Sequence, residues 1–266
     1  MSANLADRVF GRAEPVTLAS LPDGMVGKVL TDLVTERGGR LLYVARDGQR
    51  LAEVQRAAAF FAPQIEVLEF PAWDCLPYDR VSPHPAVVAR RMATLSALKA
   101  PGKHPQLILT TVNAALQRTP SRAFVARGSL SAAPGNRIPM DQLIHWLEDN
   151  GFMRTTTVRE AGEYAVRGGI LDLFTAGAAE PVRLDFFGDT LESIRAFDPE
   201  TQRTIETRKR IDLVPANEMQ LTPEPIARFR TGYVALFGAA DRDDLLYQSV
   251  SEGRRYVGME HWLPLF

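Results

Sequence analysis

The spacing of apolar residues divides the first part of the chain into helices and strands. Residues 24–37 carry apolar side chains three or four positions apart, which predicts a helix that ends at Gly38. Residues 40–45 follow as a mostly apolar run that is typical of a buried strand. Asp47 is placed to cap a second predicted helix, which extends to Phe61. This order favours a sheet whose strands are connected by covering helices.

The alternation continues to residue 118 with one interruption. Residues 65–70 and 106–111 are apolar runs that predict two further strands, and residues 86–98 have the spacing of a helix. Residues 71–85 contain four prolines and follow neither period, so we expect an irregular loop there. Residues 1–118 therefore have the pattern of an α/β domain with a parallel sheet.

A different pattern begins near residue 119, where the periodic segments become shorter and turn residues more frequent. One helix is predicted at residues 140–150, before Gly151. Strand-like runs separated by turns then predict an antiparallel meander, at residues 152–158, 164–174, 182–187 and 191–197. After an apolar run at residues 211–214, two helices are predicted at residues 223–237 and 242–250. This part of the chain reads as a small α+β module followed by helices.

Composition excludes several classes of site. The formal net charge of −1 gives no global positive field, so autonomous tight DNA binding is disfavoured. Cys75 is the only cysteine, which rules out an internal disulfide and fits a reducing cytoplasm. No apolar run approaches the ~20 residues that cross a bilayer, so we expect a soluble protein with no membrane partner. The four histidines lack ligand-like pairing and predict no zinc site: His84, His104, His145 and His261.

Residues 22–29 have part of the pattern of a phosphate-binding loop. Gly27 and Lys28 match the Gly-Lys pair of that motif, but Pro22 occupies the position of its first glycine and Val29 that of its Ser/Thr. Proline offers no N–H to a phosphate, and valine offers no oxygen to Mg²⁺. The chain also contains no Asp-Glu dipeptide, so we do not expect ATP hydrolysis. The alternative interpretation is a helix start with an exposed lysine.

Several sequence blocks resemble the Mfd family of bacterial transcription-repair coupling factors. Residues 70–84 read FPAWDCLPYDRVSPH and are followed by RRMATL, and residues 107–118 read LILTTVNAALQR. Residues 162–174 read GEYAVRGGILDLF, and RLDFF and FDP follow them. These last blocks are similar to the domain that Mfd shares with the repair protein UvrB. The resemblance runs from about residue 20 to the final HWLPLF.

This resemblance implies a fold and a partner. It implies a degenerate P-loop helicase-like α/β domain, residues 1–118 with 211–266, interrupted by an inserted α+β UvrA-binding domain, residues 119–210, as in UvrB. UvrB itself is less similar because it has an intact phosphate loop and a tyrosine-rich hairpin. In the family, ATP and Mg²⁺ belong to motor domains, and RNA polymerase and DNA are bound by further domains. For the residues present, the resemblance implies UvrA as partner, no cofactor and no enzymatic activity.

The alternation of a strand places candidate partner-binding residues on one face. In residues 182–187, Leu184 and Phe186 would point to the core, while Arg183 and Phe187 would point to the other face. An exposed aromatic beside an arginine is common at interface hot spots. Arg167, on the preceding strand, would share this face unless the glycines that follow it form a bulge. The resemblance implies that UvrA contacts these three residues, and we add three weaker candidates: Arg154, Arg159 and Phe174.

Other interpretations remain open at this point. Phe187 could be buried by the helix at residues 140–150, with Arg167 and Arg183 in solvated pairs with Glu163 and Asp185. A P-loop NTPase that uses Lys28 and a module that recognises damaged DNA are the alternative functions.

Overall fold

The computed structural model describes residues 5–11, 13–76, 79–102, 104–241 and 243–266. The chain forms two compact units, one from residues 1–72 and 97–117 and the other from residues 73–96 and 118–266. The elements of the described residues, in chain order, are α1 (Leu5–Phe10), α2 (Met25–Arg37), β1 (Arg40–Ala45), α3 (Gly48–Phe61), β2 (Glu66–Phe70), α4 (Pro85–Ala97), β3 (Gln106–Thr111), α5 (Val112–Leu116), α6 (Arg122–Arg127), β4 (Leu130–Ala132), α7 (Met140–Asp149), β5 (Met153–Arg154), β6 (Glu163–Arg167), β7 (Ile170–Leu173), β8 (Val182–Phe187), β9 (Thr190–Phe197), β10 (Thr204–Arg208), β11 (Ile211–Leu213), α8 (Pro223–Phe237), α9 (Leu245–Ser251) and a 3-10 helix (Met259–Leu265).

The first unit is an α/β structure built on a parallel sheet. Its three strands lie in the order β1-β3-β2, and both pairings are parallel. Val34 of α2 and Val54 of α3 are buried in one cluster with Leu107 and Leu109 of β3. Asp47 caps α3 by accepting a hydrogen bond from the backbone nitrogen of Arg50 at 2.8 Å. The predicted parallel α/β arrangement and the predicted cap are confirmed.

Helices α2 and α3 approach each other closely at Gly27. A Cβ atom at Gly27 would lie 2.6 Å from the Cβ of Ala57 and 2.7 Å from the backbone nitrogen of Ala58. Both distances are shorter than real carbon contacts, so the packing of the two helices requires a glycine. Gly27 is thus explained by a contact with a helix about 30 residues further along the chain.

The second unit contains a six-stranded sheet in the order β10-β9-β8-β7-β6-β5. Four of its five pairings are antiparallel, whereas β5 runs parallel to β6. Leu143 and Leu147 of α7 pack against the apolar side of this sheet. The predicted meander is confirmed, but the strand predicted at residues 152–158 is wrong in length because only β5 is formed there. Strand β10, which is exposed throughout, was not predicted.

The strand-like run at residues 164–174 is divided by a hairpin turn. Gly168 has φ +61°, and a Cβ at Gly169 would lie 2.8 Å from the carbonyl oxygen of Phe186. A two-residue turn therefore joins β6 to β7, with Arg167 opposite Ile170. The two glycines do not form a bulge within one strand.

The compact units follow a different division from the predicted domains, 1–118 with 211–266 and 119–210. Strand β11 pairs with β4, and the Arg91 guanidinium binds the Glu218 carboxylate at 2.5 Å. These long-range contacts join residues 73–96 and 211–266 to the six-stranded sheet in one unit. Local sequence periodicity carries no information about such pairings.

The irregular loop expected at residues 71–85 is confirmed for the part of it that the structure describes, which leaves out Pro77 and Tyr78. The Nε1 of Trp73 donates to Glu218 at 3.1 Å, and the backbone nitrogen of His84 donates to Asp74 at 2.9 Å. The FPAWDCLPYDRVSPH block therefore contains side chains that fix this loop within the second unit. Arg242, the predicted start of the last helix, lies outside the described residues, and α9 begins at Leu245.

Replacing Glu218 with alanine tests the buried ion pair. The side chains of Arg91 and Glu218 are 0% and 2% exposed. We expect the free energy of unfolding to fall by about 3 to 5 kcal/mol because the buried Arg91 charge loses its Glu218 counterion. Urea denaturation followed by circular dichroism measures the change. Glu224→Ala breaks an exposed pair with Arg228 and should cost at most ~1 kcal/mol; equal losses would contradict a structural role for the buried pair.

Replacing Gly27 with alanine tests the contact between α2 and α3. The added methyl group would overlap Ala57 and Ala58, so we expect a loss of about 1 to 3 kcal/mol in unfolding free energy. Gly48→Ala is the control because a Cβ there meets no atom within 4 Å. Thermal unfolding of both variants gives the comparison. A melting temperature for Gly27→Ala as high as that of Gly48→Ala would refute the packing role.

Candidate functional site

The six-stranded sheet has one face covered by α7 and an opposite face, here called the outer face. Leu171, Leu184 and Ile194 occupy one row across β7, β8 and β9, and all three are buried in the core beside α7. Side chains of neighbouring positions alternate to the other side. The outer face therefore carries Arg167, Ile170, Asp172, Arg183, Asp185, Phe187, Thr190, Ser193 and Arg195.

Phe187 is the most prominent apolar residue of the outer face. Its side chain is 78% exposed at the end of β8, opposite Thr190. Leu184 is fully buried, and Phe186 packs against the same core. The predicted alternation is confirmed, and the alternative in which α7 buries Phe187 is wrong.

Arg167 is exposed at the end of β6. Its Nη2 donates to the carbonyl oxygen of Thr156 at 2.8 Å. The Glu163 carboxylate instead accepts from the backbone nitrogens of Arg159 and Glu160, so the alternative pairing of Arg167 with Glu163 is wrong. Arg167 lies on β6 and Phe187 on β8. Because β7 lies between them, these two strands are about 10 Å apart across the sheet. The structure thus brings these two predicted residues to one surface.

Arg183 lies on the same face but is mostly buried. Its Nε and Nη2 donate to the two carboxylate oxygens of Asp172 at 2.7 and 2.8 Å. Its guanidinium carbon also lies 4.9 Å from the ring centre of Phe197. These hydrogen bonds to Asp172 raise the pKa of Arg183. The prediction of an arginine exposed beside Phe187 is therefore corrected: 18% of the side chain is exposed, and its partner is Asp172 rather than Asp185.

Asp185 forms a second ion pair on the outer face. Arg195 donates to its two oxygens from Nε at 3.0 Å and from Nη2 at 2.7 Å, and Ser193 donates a further short hydrogen bond. Burial acts to raise the pKa of Asp185, but the Arg195 and Ser193 hydrogen bonds outweigh it, so the pKa is lowered. Among the outer-face arginines of the described chain, Arg167 is the one without a carboxylate partner.

The three weaker candidates lie away from Phe187. Arg154 is in register with Tyr164, whose hydroxyl donates to Glu148 of α7, so Arg154 lies on the side of the sheet that faces α7. Arg159 is exposed beside Glu163, at the opposite end of β6 from Arg167. Phe174 is half-buried against an apolar cluster made of Val158, Ala165 and Phe197. The structure does not group these residues with Arg167 and Phe187.

The residues of the degenerate nucleotide motif do not form a phosphate-binding loop. No strand occurs in residues 13–24, and Gly27 and Lys28 lie inside α2 rather than before it. Lys28 binds Asp32 at 2.6 Å, one helical turn away. The carbonyl of Pro22 accepts from Met25 at the helix start, and Val29 is half-buried. These residues fit the alternative of a helix with a surface lysine, and they do not fit ATP with Mg²⁺.

Sequence reasoning missed Asp172 and the pair formed by Asp185 and Arg195. Of these residues, Asp172 could have been found from the sequence, since a lone carboxylate in the apolar run ILDLF must face away from the core. Finding its partner requires the register between β7 and β8. Among the described residues no cluster of three His, Cys, Asp or Glu side chains could hold a metal ion. None of the described helices has the length and hydropathy needed to cross a membrane.

Comparison with known proteins identifies the part of the chain that carries this face. A model of the UvrB interaction domain family matches residues 130–219, which include β4 to β11. The chain is 33% identical over 249 residues to the transcription-repair-coupling factor of Escherichia coli, covering 94% of this chain and 21% of that protein. It is 34% identical to the protein of the same name from Haemophilus influenzae, covering 94% of this chain and 22% of that protein.

A third relative gives the same result. The transcription-repair-coupling factor of Myxococcus xanthus is 36% identical over 255 residues, covering 90% of this chain. The chain spans about a fifth of the length of these relatives, with 21% of this one covered. Residues 130–219 therefore form a UvrB interaction domain, and the chain belongs to the transcription-repair-coupling factor family, of whose members it matches one segment.

Proposed function

We propose that this chain is a recruitment module that binds UvrA through the outer face of its UvrB interaction domain. In this proposal it couples a stalled RNA polymerase to nucleotide excision repair. Contacts with RNA polymerase and with DNA are made by further domains of the family protein and not by these residues. The observation that carries the proposal is the exposure of Phe187 and Arg167 together on the outer face.

The chemistry of the outer face supports a protein partner. An aromatic side chain that is 78% exposed can bury a large apolar area in a complementary pocket, and a nearby arginine adds directional hydrogen bonds. The other charges near Phe187 neutralise each other, because Asp172 pairs with Arg183 and Asp185 with Arg195. Such a surface lacks the row of unpaired cations that phosphate backbones attract.

The first unit supports a structural rather than a catalytic role. We propose that it is a helicase-like α/β fold whose nucleotide site has degenerated. The support is chemical: Gly27 is covered by α3, Lys28 is bound to Asp32, and Val29 has no oxygen for a metal ion. The proposed module therefore requires no ATP, no Mg²⁺ and no other cofactor. Cys75, the only cysteine of the chain, is a half-buried free thiol, which suits a reducing compartment such as the cytoplasm.

Alanine substitutions test the recruitment surface. We expect Phe187→Ala and Arg167→Ala each to weaken UvrA binding about tenfold or more, because exposed aromatic and arginine anchors carry most of an interface's free energy. Surface plasmon resonance with immobilised UvrA measures the dissociation constants.

Two matched variants control for nonspecific effects. Phe60→Ala removes a phenylalanine of nearly the same exposure, 79%, from the other unit. Arg154→Ala removes an exposed arginine of the same domain from the side that faces α7. Both should bind UvrA as the unmodified chain does. If Phe187→Ala and Arg167→Ala also bind normally, the outer face is not the contact surface.

An ATPase assay tests the degenerate site. We expect no Mg²⁺-dependent phosphate release above the buffer rate, since Lys28 and Val29 cannot bind a nucleotide–metal complex in the observed geometry. Lys28→Ala should give the same trace as the unmodified chain. Turnover that disappears in Lys28→Ala would overturn the proposal in favour of an NTPase. A gel shift stronger with lesion-bearing DNA than with intact DNA would favour the damage-recognition alternative.

A further inference from the structure

The pair of Asp172 and Arg183 is the more buried of the two ion pairs on the outer face. The side chains of Asp172 and Arg183 are 2% and 18% exposed, against 23% and 37% for Asp185 and Arg195. Both oxygens of Asp172 are used, one by Nε and one by Nη2 of Arg183. A bidentate pair of this kind fixes the plane of the guanidinium group.

A second contact places the same group over an aromatic ring. The guanidinium carbon of Arg183 lies 4.9 Å from the ring centre of Phe197, and Phe197 is fully buried. The third nitrogen, Nη1, has no hydrogen-bond partner among the described residues. Arg183 is thus held by Asp172 and by the ring of Phe197, while Nη1 stays unused at a side chain that is still partly exposed.

Stability alone is a weak reason for this arrangement. Removing two charges from water costs free energy that a pair of apolar side chains would not cost, and the sheet could close over apolar residues equally well. What the charged pair provides is a cation in a fixed orientation on the face that also carries Phe187, four residues further along β8. An arginine that is already ordered loses less side-chain entropy when a partner binds.

We infer that Asp172 is a positioning residue for partner recognition. It holds Arg183 so that Nη1 donates to a carboxylate or carbonyl oxygen of the protein that covers Phe187. The inference rests on the proposed function, because that protein is taken to be UvrA. Asp172 itself is too buried to contact a partner, so its effect on binding passes through Arg183.

A double-mutant cycle on the whole chain tests this coupling. UvrA dissociation constants are measured for the unmodified chain, Asp172→Asn, Arg183→Ala and the double variant, together with their melting temperatures. The asparagine keeps the shape of Asp172 but replaces one acceptor oxygen with an NH₂ group that opposes the guanidinium donors. We expect each single substitution to weaken binding about tenfold, and the double variant to bind no more weakly than Arg183→Ala.

Tyr164→Phe is the stability control for the cycle. It removes the part-buried hydrogen bond to Glu148 on the side of the sheet that faces α7. This variant should melt at a lower temperature and still bind UvrA with the unmodified dissociation constant. A loss of affinity that follows the loss of stability, as much in Tyr164→Phe as in Asp172→Asn, would show that Asp172 has a structural role only.

The remaining outcomes separate this inference from the proposed function. Normal UvrA binding by Asp172→Asn would refute the positioning role. So would a double variant whose loss of UvrA affinity equals the product of the two single losses. If Arg183→Ala binds normally while Phe187→Ala does not, the positioning role fails and the recruitment surface stands. If the unmodified chain does not bind UvrA, the proposed function fails, and the inference fails with it.

Discussion

The outer face depends on the register that the Gly168-Gly169 turn imposes on β6 and β7. The turn pairs Arg167 of β6 with Ile170 of β7. The pairing of β7 with β8 then places Asp172 opposite Arg183. A shift of one residue would move these charged side chains to the side that faces α7, among the fully buried leucines of the core. The free-energy cost of burying unpaired charges there keeps the register fixed.

Once this register is set, charge pairing decides which side chains of the outer face keep an uncompensated charge. The two ion pairs use the carboxylates of Asp172 and Asp185 within the domain, so neither is left to repel or attract a ligand at long range. Phe187 and Arg167 remain exposed at the end of β8 and the end of β6. In the proposed recruitment function, binding at this face gains free energy mainly from apolar burial, with hydrogen bonds setting the orientation.

The predictions from sequence succeeded where the cause of a structure lies within a few residues. The bounds of β1, β3, β8 and α8 are as predicted, because the period of apolar residues is a local property. The Asp47 cap is also local, since its carboxylate binds a nitrogen three residues away. The predictions failed at residues 152–158, where a strand-like run is matched by a neighbouring strand over two residues only.

The sequence by itself determined the α/β and meander patterns, the family resemblance and the alternation that puts Leu184 and Phe187 on opposite faces, all of which follow from periodicity or from short motifs. The exposure of Phe187 was decided by the tertiary structure, in which α7 covers the opposite face. Only the tertiary structure decided that Gly27 packs against α3, that Arg183 binds Asp172, and that Arg154 lies on the side that faces α7. Each of these depends on which strands and helices become neighbours. That choice is made by packing over the whole unit, so no single segment of the sequence contains it.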